Sequence, residues 1–245
     1  MSMKNLILFT VSMFLLILNS CQEEEKNEVF NPGTLTKVSN LSGLISRVTQ
    51  NPTFYDNILD NTSWFSVVLP VTITLNGQTL TVTQNEDYNT VKTIKNQSQS
   101  DDDIVHFSFP ITIKYKNYQE VIVANQSQLN AIYDVSGPET GFNEIKCIDF
   151  NYPLKINYYN TTTQVANTIT IADHTQLYNF IDVLKTEEIY SIVYPIAMTK
   201  SDSSMVVFNS NDQLQNGIEI VINDCDEPNT NNPELSTIII DGSWY

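Results

Sequence analysis

Basic residues are scarce in this chain: 12 Lys and Arg stand against 28 Asp and Glu, a formal charge of −16 over 245 residues. A field of that sign repels nucleic acid and anionic lipid headgroups, which excludes DNA, RNA and attachment to membranes through a basic patch. Histidine is rarer still. His106 begins an alternating apolar stretch and His174 sits at an expected helix start, so neither has ligand or triad spacing. Only seven glycines occur, and no Gly-x-Ser-x-Gly, His-Glu-x-x-His or phosphate-binding glycine loop is present. The three cysteines contain no Cys-x-x-Cys pair, which removes the usual redox and zinc arrangements. The densest carboxylate groups, Asp101-Asp102-Asp103 and Asp224, Asp226 and Glu227, follow no calcium-loop pattern and read as solvated loops. The sequence therefore reads as a non-enzyme that needs neither metal nor cofactor.

An apolar run long enough to span a bilayer is also missing, since spanning takes about 20 residues and the run at 6–18 is shorter. With Lys4 ahead of it and Asn19-Ser20 behind, that run has the plan of a secretory signal peptide over residues 1–20. Leu18-Asn19-Ser20-Cys21 resembles the bacterial lipobox, which implies that Cys21 carries lipid and becomes the mature N-terminus. The acidic run Glu23-Glu24-Glu25 resembles the tag that sends lipoproteins of Bacteroidota to the cell surface. The expected location is the outer membrane, held by the N-terminal lipid. With Cys21 consumed, Cys147 and Cys225 remain in an oxidising compartment, where a disulfide and two buried thiols are the two readings left open.

What the chain does have is a period. Pro70, Pro110, Pro153 and Pro195 each sit inside an alternating apolar segment: FSVVLPVTITL, HFSFPITIKY, IDFNYPLKINY and YSIVYPIAMT. Period-two alternation, such as Phe65, Val67, Leu69, Val71 and Ile73, predicts a strand with one buried face and the proline on the outward one. A turn follows, clearest at Asn76-Gly77. A second strand contributes Leu80 and Val82, Val121 and Val123, Ile169 and Ile171, or Val206 and Phe208. The third copy has a longer insertion at 160–167. Helix grammar comes next: Asn125, Asp173 and Ser210 are caps, each three residues ahead of a Gln able to reach back to the cap's own amide. The copy at 84–94 is degenerate but keeps Tyr88, Val91 and Ile94.

The expected fold is thus α+β, with four tandem strand-turn-strand-helix (ββα) repeats at 64–105, 106–147, 148–189 and 190–225 in antiparallel or mixed sheet, helices on one face. One continuous sheet and two sheets of two repeats both satisfy eight strands. Residues 21–38 read as a flexible tether and 39–63 as a helical cap leading into the first repeat. Residues 226–245 read as a linker and terminal strand, where Gly242-Ser243-Trp244 resembles the opening of lipocalin-like barrels.

The proline strand and the Asn-x-x-Gln-Leu helix start resemble a module of uncharacterised repeat-containing surface lipoproteins of Bacteroidota, over about 40–225. That resemblance implies a structural module and carries no catalytic residue. Two functions fit: a scaffold or binding face for another protein, and a glycan-binding lipoprotein of a nutrient-uptake system. Among the hairpin-tip aromatics, Tyr115 and Tyr158 alternate inward, which leaves Tyr118 and Tyr159 as exposed ligand contacts.

Overall fold

A computed structural model describes residues 33–97, 103–136 and 144–225. The expected signal peptide, Cys21 and its acidic run, and the terminal strand at 226–245 lie outside the described residues. The fold is α+β, with four three-stranded antiparallel sheets and six α-helices among those residues.

After α1 (Asn40–Thr49) and the single turn α2 (Asn57–Asp60), β1 (Phe65–Val67), β2 (Val71–Leu75) and β3 (Gln78–Val82) lead into α3 (Tyr88–Lys95). The same order recurs as β4 (His106–Phe107), β5 (Ile111–Tyr115), β6 (Glu120–Val123) and α4 (Gln126–Ser136). It recurs again as β7 (Ile148–Phe150), β8 (Leu154–Asn160), β9 (Val165–Ile171) and α5 (His174–Val183). Last come β10 (Glu188–Ile192), β11 (Ile196–Lys200), β12 (Met205–Phe208) and α6 (Asn211–Cys225).

Each alternating proline segment, expected as one strand, is two. Proline has no N–H to give to a ladder, so hydrogen bonding cannot run through it. The chain leaves one sheet before each proline and enters another just after it. Pro70, Pro110, Pro153 and Pro195 are all exposed, and their X–Pro bonds are all cis. Period two continues across the break: Phe65, Val67, Val71 and Ile73 are buried on one face. The result, among the described residues, is twelve strands in place of eight, in four three-stranded sheets in place of one or two.

The break lets neighbouring segments exchange strands. β1 pairs with β5, and β4 pairs with β2, giving sheets β1-β5-β6 and β3-β2-β4. Further along, β7 pairs with β11 and β10 pairs with β8. Two apolar cores follow from this pairing. One gathers Phe65, Ile73, Val82, Val91, Ile113 and Leu129; the other gathers Ile148, Ile156, Leu177, Tyr190, Met198 and Leu214.

The N-terminal helical cap divides between the cores. Leu41, Leu44, Ile45 and Val48 of α1 belong to the second core, whereas Leu59 of α2 belongs to the first. Ordered packing also begins inside the stretch expected as a tether. Buried Leu35 exchanges backbone bonds with Tyr190 of β10, at 2.7 and 2.9 Å, because a lone leucine among polar neighbours gains most by burial.

The helix starts differ by one residue from expectation. Asp173 Oδ1 accepts from Gln176 N at 2.8 Å, but Gln176 Oε1 reaches past the cap to Ala172 N, at 3.0 Å. Gln128 and Gln213 likewise take Ala124 N and Asn209 N. In the degenerate copy Asp87 does this work, accepting from Thr83 N and Gln84 N.

Candidate functional site

The inward faces are spent on the two cores, so the surfaces that vary between segments carry what is specific. The largest variation is at the third hairpin. Residues 160–167, expected as a turn insertion, mostly lengthen the strands: Asn160 pairs with Val165, and β8 and β9 reach seven residues each. Asn160 Oδ1 closes the short remaining turn by accepting from the amides of Thr162 and Thr163.

Lengthening adds the Tyr159 row to the outward face, beyond a row at Asn157 that has its counterpart at Lys114 of β5. Register sets Ile189, Tyr159 and Ala166 side by side, with Ser191, Asn157 and Thr168 alongside them. Tyr159 is the one large ring in these rows, and the small side chains at Ala166 and Ser191 leave a depression of about 270 Å³ beside it. Thr34 borders the depression because the Leu35–Tyr190 bridge lays the N-terminal segment along β10. Thr168 Oγ1 donates to Asn157 Oδ1 at 2.8 Å. Among the described residues, no protein partner takes the Asn157 Nδ2 hydrogens or the Tyr159 or Ser191 hydroxyls. A ring face bordered by uncommitted donors and acceptors can stack against one flat apolar surface and hydrogen-bond around its edge.

Tyr118, the other expected contact, is placed differently. It occupies the left-handed position of the β5–β6 turn, at φ 65°, and its hydroxyl donates to the Thr49 carbonyl at 2.6 Å. Its ring meets Tyr178 of α5 at 6.2 Å, and burial pushes the phenol up to about 12. Tyr118 therefore ties the first hairpin pair to α1 and α5. Tyr115 and Tyr158 are half-buried, and the Tyr158 hydroxyl donates to Glu188 Oε1 at 2.6 Å.

One polar pairing was not visible from spacing. His174 at the start of α5 contacts Asp149 of β7 as an ion pair when protonated, and Tyr152 lies edge-on to the imidazole at 5.3 Å. Burial raises the Asp149 carboxyl, but His174, the Phe150 amide and Lys146 outweigh it and hold it below its ordinary value. No hydroxyl or thiol is hydrogen-bonded to this imidazole among the described residues, so the pair joins β7 to α5. His106 lies exposed in β4.

Cys147 is disulfide-bonded. The side chain of Cys225, at the end of α6, lies outside the described residues. Among the described residues, no group of three or more His, Cys, Asp or Glu is arranged to hold a metal ion, and no helix is long and apolar enough to cross a membrane. No family model, curated protein or solved structure matches the chain.

Proposed function

We propose that this chain is a lipid-anchored protein of the bacterial outer surface, built from four strand-strand-strand-helix repeats locked in two reciprocal pairs, and that it binds another protein without catalysing a reaction. The observation that carries this reading is the apolar dressing of two sheet edges. Ile122 of β6 and Met205 and Val207 of β12 stand outward and exposed on edge strands. An edge strand offers unpaired backbone groups, and outward apolar side chains beside them suit a protein partner that adds a strand or a flat face.

In-cell cross-linking of the full chain tests this. A discrete partner adduct that disappears in a Met205→Glu/Val207→Glu double variant is expected. The reading fails if the adducts are unchanged, or if the purified chain turns over a glycan, ester or peptide and a point substitution abolishes that turnover. For the anchor, Cys21→Ala should move the protein out of the membrane fraction, and continued retention would rule out lipid attachment there. A second reading, glycan capture by a nutrient-uptake lipoprotein, is favoured by the depression around Tyr159.

A further inference from the structure

We propose that the outward depression on the β10-β8-β9 sheet is a subsite for an uncharged sugar ring, with Tyr159 as the stacking platform and Asn157, Thr168 and Ser191 as its hydrogen-bonding rim. This deepens the glycan reading and rests on it. The argument begins with charge. In a chain with 28 acidic residues, none of the residues lining this depression is charged. The formal charge on the same face of β8 comes from Lys155, one row beyond Asn157.

An acidic ligand would meet no cation in this lining, so its carboxylate would gain no ion pair in exchange for the water it gives up on contact. A neutral sugar presents the complementary pattern. Its C–H face is apolar and matches the Tyr159 ring, while its hydroxyls, each donor and acceptor, match the amides and hydroxyls around it. The volume of about 270 Å³ is of the size of one ring, so the depression holds one residue of a longer chain. The location fits this use, because the third hairpin is the one whose strands are lengthened.

The test is titration calorimetry of the full chain with neutral hexose oligomers and with uronate oligomers of the same length. Measurement in about 0.5 M salt screens the long-range repulsion of the chain's net charge. Neutral oligomers should bind and uronate oligomers should bind at least about tenfold more weakly. Tyr159→Ala should weaken neutral binding by at least about tenfold, and Tyr159→Phe should keep it within about threefold. Ala166→Trp, which fills the depression from an exposed position, should abolish binding while leaving the melting temperature unchanged. Absence of binding to every oligomer would overturn the glycan reading itself. Binding that survives both Tyr159→Ala and Ala166→Trp would leave that reading in place and overturn this subsite. Equal affinity for uronates at high salt would overturn its selection for neutral sugars.

Discussion

The amide of Val68 donates to the carbonyl of Thr112 at 2.8 Å, and Ser108 returns the bond to the carbonyl of Thr72 at 2.9 Å. Asn151 to Ala197 and Val193 to Lys155 repeat this relationship in the second half, at 3.0 and 2.9 Å. Each donor lies two residues before a proline and each acceptor two residues after one. The crossing therefore binds two segments to one another, and neither sheet of a pair is complete without its neighbour's first strand.

Phe65 tests that dependence. It sits in β1, fully buried, yet its ring packs on Tyr115 at 6.3 Å and Tyr133 at 5.6 Å, both from the following segment. Phe65→Ala should lower unfolding free energy by about 3–5 kcal/mol in denaturant titration. Amide exchange should then quicken in β5 and β6 as well as in β2 and β3. Quickening confined to β2 and β3 would refute the shared core.

Two glycines in helices should respond in opposite directions to alanine. At Gly43 of α1 a Cβ would meet nothing within 4 Å, so Gly43→Ala should stabilise the fold by about 0.5–1 kcal/mol through helix propensity. At Gly217 of α6 a Cβ would run into Cε1 and Cζ of Phe208, a ring buried in the second core. Gly217→Ala should therefore destabilise by about 1–3 kcal/mol despite the better propensity. Thermal melts of the two variants decide it, and a stabilised Gly217→Ala would mean that the ring yields.

Much of this was legible from residues, and what was not has physical reasons. Alternation named the inward faces, since Phe65, Val67, Val71 and Ile73 obey period two whichever strand they pair with. For the same reason alternation is silent about partners, so the change of sheet at each proline went unseen. Asn76-Gly77 fulfils its turn at φ 50° and 77°, a local property. The His174–Asp149 contact joins residues in different elements and left no spacing to read. Leu35 is one apolar residue in a polar stretch, too little for a pattern. At the site, the longer third hairpin was visible as an insertion. The neighbours of Tyr159 were not, because Ala166 and Ser191 reach it only through the register of three strands.

Tyr118 should prove a stability residue. Tyr118→Phe removes the donor to the buried Thr49 and leaves that carbonyl unsatisfied, which should lower unfolding free energy by about 1–2 kcal/mol. Affinity for any glycan should not change. A loss of binding with unchanged stability would place Tyr118 in a ligand site instead.

Asp56 sets a pH dependence whose sign follows from its surroundings. Its carboxyl is buried, accepts the Val67 amide and lies near Glu144 and Asp60. Burial is the main cause that lifts it from its ordinary 3.8 to about 7, with the Glu144 charge adding to the rise. The folded state thus holds this proton more tightly than the unfolded chain does. That contribution to stability is complete below about 3.8 and is lost as pH rises through 7. Asp56→Asn keeps an oxygen for the Val67 amide and cannot ionise. Relative to the native chain, the variant should therefore gain stability between pH 5 and 8, by on the order of 2 kcal/mol. Denaturant titrations of both proteins at the two pH values measure the difference directly. A gap between native chain and variant that stays constant with pH would show that Asp56 does not take up this proton.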